Sequence, residues 1–95
     1  MKLLKFYASW CGPCKALAKE LQENPVNAEV VSIDVDEEDD LVTLLNIKNV
    51  PVLVLYDGDK IIHKWFGFTK SSVINDFIKD YESNSSTGDS LEQST

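Results

Sequence analysis

The chain has few cysteines, few basic residues and no long apolar run. Two cysteines occur among its 95 residues, and only two residues separate them. The bridges of a small secreted domain close longer loops, so this pair excludes such a scaffold. No stretch approaches the roughly 20 apolar residues that span a bilayer, and Lys5 interrupts the apolar run that a signal peptide would need. We therefore expect an intracellular, cytoplasmic protein with no membrane segment.

Basic residues are outnumbered by acidic ones, nine to sixteen, which gives a formal net charge of −7 at pH 7. Nucleic acids and anionic membranes would be repelled unless the basic residues formed one patch. We expect neither as a partner and interpret the charge as a source of solubility. The chain is long enough for one small core but too short for two domains, and we expect a monomer.

The spacing of Cys11 and Cys14 indicates either redox chemistry or metal binding, since C-x-x-C pairs serve both in a reducing compartment. A structural zinc site needs about four ligands, and the only other soft candidate is His63. His63 alternates with Ile62 in a strand pattern, which is more typical of a surface side chain. We therefore predict no metal site and favour redox chemistry.

The first half of the chain predicts a parallel strand–helix–strand unit. Residues 3–8 form a short, mostly apolar run, and residues 29–35 form a second run rich in β-branched side chains. Between them, Cys14, Leu17 and Leu21 repeat at helical spacing until Pro25 stops the pattern. A helix that joins two strands in this order implies a right-handed parallel crossover.

The second half predicts a short helix, a hairpin and a last helix. Carboxylates at residues 36–40 precede a short apolar segment that Asn46 closes. Residues 52–56 and 60–66 flank a glycine-containing turn and read as an antiparallel hairpin. After Thr69, a candidate N-cap, apolar side chains recur at helical spacing up to Tyr81.

The predicted order is β-α-β-α-β-β-α, an α/β fold with a four-stranded mixed sheet and helices on both faces. We assign residues 1–82 to this domain. Residues 83–95 are polar and contain Leu91 as their only apolar residue, so we expect a disordered tail.

The cysteine pair stands at the predicted start of the first helix. Cys11 would receive the helix dipole and free N–H groups, which lower a thiol pKa and favour the nucleophilic thiolate. We therefore predict an exposed Cys11 that attacks a substrate disulfide. Cys14, one turn later on the buried stripe, would then resolve the mixed disulfide and form the redox-active Cys11–Cys14 disulfide.

The residues around the pair suit this role. Gly12 lets a substrate backbone approach, and Pro13 is tolerated because N–H groups of the first helical turn have no intrahelical partner. Trp10 is either an ordinary packing residue or an aromatic cover for the disulfide that contacts substrate; beside an exposed cysteine the second interpretation is favoured.

The segment from Trp10 to Lys15, Trp-Cys-Gly-Pro-Cys-Lys after a short strand, resembles the signature of the thioredoxin family. Val50-Pro51 before a later strand is similar to the family's cis-proline site, and Asp57-Gly58 and Gly67 also match its pattern. The similarity covers roughly residues 3 to 81. It implies a minimal thioredoxin fold in which Val50, Pro51 and Gly67 help to bind extended substrate.

The resemblance also implies partners. A thioredoxin-like protein would hold no bound cofactor, reduce disulfide-containing proteins and receive electrons from NADPH through thioredoxin reductase. Two alternatives stay open: a glutathione-coupled, glutaredoxin-like reductase, and a non-catalytic subunit that binds a partner through the surface around Trp10, Val50 and Gly67.

Several positions depart from the family pattern. We expect no extra strand and helix before the first strand, and Lys5 stands where the family usually has a buried carboxylate. Ser32 replaces its usual lysine partner, and Lys19 replaces a helix-kinking proline. We hypothesise that Lys5 tunes the thiols as a charge or a proton acceptor, with Asp34 as a candidate partner. The alternative is a lysine that simply reaches solvent.

Overall fold

A computed structural model describes residues 1–87 of the chain. Its elements, in order, are β1 (Lys2–Tyr7), α1 (Gly12–Glu23), β2 (Glu29–Asp34), α2 (Asp39–Leu44), β3 (Val52–Asp57), β4 (Lys60–Phe66) and α3 (Ser71–Thr87). This is the predicted β-α-β-α-β-β-α order.

The four strands form one mixed sheet in the order β2-β1-β3-β4. Strand β1 pairs in parallel with β2 across the α1 crossover and antiparallel with β3. Strands β3 and β4 form the predicted hairpin, whose turn places Gly58 at φ +63°, a conformation that other residues adopt only at a cost. The end of β1 therefore lies beside the start of β3 at the centre of the sheet.

The sheet is covered on both faces, as predicted. On one face Leu3, Leu53 and Leu55 pack against Leu17 of α1 and Ile74 of α3. On the other face Phe6, Val52 and Val54 pack against apolar side chains of α2 and its flanking loops. Because side chains alternate along a strand, successive residues of β1 and β3 serve the two layers in turn.

The helix boundaries differ in part from the prediction. Helix α2 ends as predicted, with Asn46 at φ +57° just beyond its last turn. Thr69 does not cap α3: its hydroxyl donates to the Gly67 carbonyl at 3.2 Å. The N–H of Ser71, the first residue of α3, instead donates to the Glu20 carboxylate on α1 at 2.9 Å. The cap of α3 is therefore a side chain from a distant part of the chain.

Helix α3 continues to Thr87, past the start of the predicted tail at residue 83. Polar residues can continue a helix at an exposed end, because the last turns there do not have to pack an apolar face against the core. The rest of the predicted tail, residues 88–95, lies outside the described residues. None of the helices in the described part is long and apolar enough to cross a membrane.

Candidate active site

Cys11 lies at the N-cap of α1, between the end of β1 and the first helical turn. Its backbone is extended, with φ −96° and ψ 113°, and its N–H donates to the Ala8 carbonyl at 3.2 Å. Its Sγ accepts the backbone N–H of Cys14 at 3.1 Å and is joined to the Cys14 Sγ in a disulfide. The Cys11 sulfur thus occupies the positive end of the helix dipole, as the spacing predicted.

Both cysteines are buried in this oxidised form: Cys11 is 5% and Cys14 3% exposed. The predicted exposure of Cys11 is therefore not found here. The reason is tertiary, because the Cys11 Sγ lies 3.7 Å from the carbonyl oxygen of Val50 in the loop before β3. The side of the disulfide at Gly12 is open to an approaching molecule, since a Cβ at Gly12 would contact no atom within 4 Å.

The loop that covers Cys11 contains a cis peptide bond between Val50 and Pro51, which is the form that the resemblance implied and the sequence by itself left open. The Pro51 carbonyl accepts the N–H of Gly67 at 2.9 Å, which ties this loop to the end of β4. Gly67 has φ +83°, so glycine is required there by the backbone conformation. Gly67, which is distant in sequence, is thereby brought to the loop of Val50 and Pro51 beside the disulfide.

Trp10 is 70% exposed and does not join the core. Its indole Nε1 donates to the Asp36 carboxylate at 3.1 Å, which holds the ring on the surface. Trp10 forms one wall of a groove of about 270 Å³, and Val35 and Val50 also line it. The groove lies next to the disulfide, because Trp10 directly precedes Cys11 and the Val50 carbonyl lies 3.7 Å from the Cys11 Sγ.

Comparison with known proteins agrees with this geometry. The family model described as Thioredoxin matches residues 1–80. This chain belongs to the thioredoxin family. The site is therefore that of a thiol–disulfide oxidoreductase, with Cys11 and Cys14 as its redox-active pair, and family membership points to disulfide-containing substrates.

Individual thioredoxins match most of the chain. A thioredoxin from Mycoplasmoides gallisepticum is 28% identical over 80 residues, which cover 81% of this chain and 80% of the relative. Thioredoxin C-2 from Corynebacterium nephridii is 31% identical and covers 80% of this chain and 74% of its own length. The solved structure of a mutant thioredoxin from Halobacterium salinarum is 33% identical, with a TM-score of 0.76 over 84% of this chain and 73% of the solved one.

Two exposed aromatic residues beside the thioredoxin site were not predicted from the sequence. Phe66 and Phe68 flank Gly67 and are 74% and 47% exposed. Phe66 lines a second groove together with Lys48 and Lys64. The sequence feature that could have predicted this exposed surface is the pair of large apolar residues on either side of a glycine, at the end of an edge strand.

Lys5 is half-buried on the face of β1 that α1 covers. Its Nζ lies 5.8 Å from the centroid of the Tyr7 ring, and burial lowers its pKa below the usual 10.5. Asp34, the candidate partner, does not line the cavity around Lys5, and its carboxylate accepts the N–H of Asp36 at 2.9 Å. Lys5 does, however, line the same cavity as Cys14.

His63 lies in an aromatic cluster rather than at the disulfide site. Its ring stacks on Phe77 at 4.6 Å and meets the edge of Trp65 at 4.6 Å. Within residues 1–87 no group of three or more His, Cys, Asp or Glu side chains is placed to hold a metal ion.

Proposed function

We propose that this member of the thioredoxin family reduces disulfide bonds in other proteins through a mixed disulfide. The observation that carries the proposal is the N-cap position of Cys11, whose Sγ accepts the Cys14 N–H at 3.1 Å. That N–H and the dipole of α1 would stabilise negative charge on the Cys11 sulfur once the disulfide is reduced. Cys11 is therefore the attacking thiolate.

In the proposed cycle the Cys11 thiolate attacks one sulfur of the substrate disulfide. A Cys11–substrate bond forms, and the other substrate sulfur leaves with the electron pair. Cys14 then attacks the Cys11 Sγ, which releases the second substrate thiol and forms the Cys11–Cys14 disulfide. The N-cap position of the Cys11 sulfur supports this order, because the Cys14 N–H that it accepts favours negative charge on Cys11.

Substrate binding is assigned to the surface around the disulfide. An extended segment would pair with the backbone at Val50, in the manner of an added strand. Trp10 and Gly67 would border that segment on either side, and the open space above Gly12 and Pro13 would admit its backbone. Pro51 positions Val50 through the bond that its carbonyl accepts from Gly67.

Two cysteine variants test this cycle. We expect Cys14→Ser to accumulate a covalent complex with an insulin-type substrate, because nothing resolves the mixed disulfide. Cys11→Ser should form no such complex, and both variants should lose catalytic turnover. Non-reducing electrophoresis and mass spectrometry measure the complexes. Equal trapping by the two variants would contradict the assignment of attack to Cys11.

The proposed electron source is NADPH through thioredoxin reductase, with no cofactor held by the chain. Recycling is measured with NADPH and thioredoxin reductase and, in parallel, with glutathione and glutathione reductase. Efficient turnover only with glutathione would favour the glutaredoxin-like alternative. Undiminished capture of a partner by the Cys11→Ser, Cys14→Ser double variant, without turnover in either assay, would favour a binding subunit.

We also propose that the protein acts as a monomer in the cytoplasm. The negative net charge supports a soluble monomer, and a single C-x-x-C pair suits a compartment where thiols are kept reduced. Light scattering measures the mass in solution, and alkylation trapping in cells measures the reduced fraction of the pair. A predominantly oxidised pair in growing cells would argue against that location.

A further inference from the structure

A cavity of about 420 Å³ lies on the Cys14 side of the disulfide. It opens between α1 and strands β1 and β2, and it is separate from the groove that Trp10 and Val50 line. Cys14 and Lys15 line it from α1, Lys5 and Tyr7 from β1, and Ser32 from β2. The cavity is large enough to hold water molecules beside these polar groups.

Among the described residues, no carboxylate lines this cavity. Strand β2 contributes Ser32, and Asp34, further along the same face, uses its carboxylate to accept the Asp36 N–H at 2.9 Å. Strand β3 places Leu53 opposite Lys5. The ionisable neighbours of Cys14 in the cavity are therefore Lys5, Tyr7 and Lys15.

Lys5 differs from the other two in its surroundings. Lys15 is exposed, so water solvates its ammonium group. Lys5 is half-buried, its Nζ lies 5.8 Å from the centroid of the Tyr7 ring, and desolvation lowers its pKa. A lowered pKa increases the fraction of neutral amine near neutral pH, and a neutral amine accepts protons.

We propose that Lys5 accepts the proton of the Cys14 thiol when Cys14 resolves the mixed disulfide. The inference rests on the proposed cycle and adds the group that makes its second step possible. A buried thiol has to lose its proton before it attacks, and the transfer takes place inside the cavity, directly or through one water molecule.

The proton of the Cys14 thiol passes to the neutral Nζ of Lys5, which leaves a thiolate and an ammonium. The thiolate attacks the Cys11 Sγ, and the bond between Cys11 and the substrate sulfur breaks. The electron pair leaves with the substrate sulfur, which takes a proton from solvent, and Lys5 later returns its proton to solvent. The substrate is reduced, and the Cys11–Cys14 disulfide is the oxidised product.

The test follows the two steps separately with dithiobis-nitrobenzoate, a small chromogenic disulfide. Attack by Cys11 releases a first coloured thiolate, and attack by Cys14 releases a second one. The rate of each phase is measured by stopped-flow absorbance against pH for the reduced wild type, Lys5→Met, Lys5→Arg and Lys5→Asp. Lys19→Met is the matched control, because Lys19 is an exposed lysine of α1 outside the cavity.

We expect the second phase to slow about 100-fold in Lys5→Met and Lys5→Arg, in the range of one lost acid–base group. Arginine keeps the charge but does not deprotonate, so it should not rescue the rate. Lys5→Asp should restore much of it and shift the pH profile to lower pH, since a carboxylate also accepts a proton. The first phase and the Lys19→Met control should change little.

Wild-type rates and pH dependence in Lys5→Met would overturn the proposal. A wild-type second phase in Lys5→Arg would show that positive charge alone suffices, which contradicts proton acceptance. If Lys5→Asp does not fold, as judged by circular dichroism, Lys5→His serves as the rescuing base. Failure of the cycle itself has a different signature, because the wild type would then release only one coloured thiolate.

Discussion

At the scale of single residues, Lys5 is poorly suited to its position. A lysine on the covered face of a central strand loses part of its hydration, which lowers its pKa. Among the described residues, no carboxylate lines the cavity to offset this loss. A side chain that costs stability at a redox site is typical of a residue kept for function.

The free-energy cost of burying the charged Lys5 amine predicts how the stability of the oxidised protein depends on pH. The folded pKa of Lys5 lies below 10.5, so the unfolded chain binds more protons between the two pKa values. Burial of the charged Lys5 amine therefore lowers the free energy of unfolding by its full amount below the folded pKa. This destabilisation disappears as the pH rises to 10.5. We expect oxidised Lys5→Met to be more stable than wild type at neutral pH, by less than about 1 kcal/mol because solvent screens a half-exposed amine.

Urea denaturation at several pH values measures this difference, with Lys19→Met as the control for removing one positive charge. The advantage of Lys5→Met should shrink as the pH approaches 10.5. An advantage that grows with pH, or that Lys19→Met shares, would contradict the assigned cause.

At the scale of elements, α1 and α3 are joined by the Glu20 side chain. Its carboxylate accepts the N–H of Ser71 at 2.9 Å and the Asn24 side-chain amide at 3.2 Å. Ser71 is 1% exposed, so its N–H at the start of α3 is shielded from water and needs an acceptor. Glu20 supplies that acceptor and places a negative charge at the positive end of α3.

We expect Glu20→Ala to lower the free energy of unfolding by about 1–2 kcal/mol, the usual cost of a lost cap. Glu20→Gln should retain most of the stability, because its amide oxygen still accepts the Ser71 N–H. Glu23→Ala, at an exposed position of the same helix, is the matched control and should stay within about 0.5 kcal/mol of wild type. Urea denaturation measures all three. Equal losses in the two alanine variants would rule out the cap.

At the scale of the whole molecule, the two layers around the sheet are unequal. The layer of α1 and α3 contains seven buried residues from both helices and the central strands, among them Leu3, Leu17 and Ile74. On the other face α2 is six residues long and has no buried residue. The α2 layer also carries the segment that leads to Val50, so the layer with the shorter helix lies next to the proposed substrate site.

We expect hydrogen exchange to reflect this difference. Amides of β1 and β3 should exchange only through global unfolding, whereas those of α2 should exchange through local opening at a lower free energy. Exchange measured by NMR at increasing urea distinguishes the two, because local opening shows little urea dependence. Equal protection of α2 and the central strands would indicate a single cooperative unit.

Much of the fold was predictable because its signals are local. The helical spacing of Cys14, Leu17 and Leu21 and the turn at Gly58 each depend on neighbours in sequence, and the parallel pairing of β1 with β2 then followed from the crossover rule. Thr69 was the wrong cap for α3 for the converse reason. Glu20, the residue that caps it, lies in another helix, and no sequence pattern connects the two.

The sequence by itself determined the reaction type, because Cys11 and Cys14 occupy one helical turn and their chemistry follows from that spacing. Tertiary structure decided the rest of the site. It placed Val50 over Cys11, held Trp10 through Asp36 and put Lys5 on the cavity behind Cys14. The physical reason is distance along the chain: a helix start positions groups a few residues apart, whereas only packing of the sheet and its helices brings remote side chains to one sulfur.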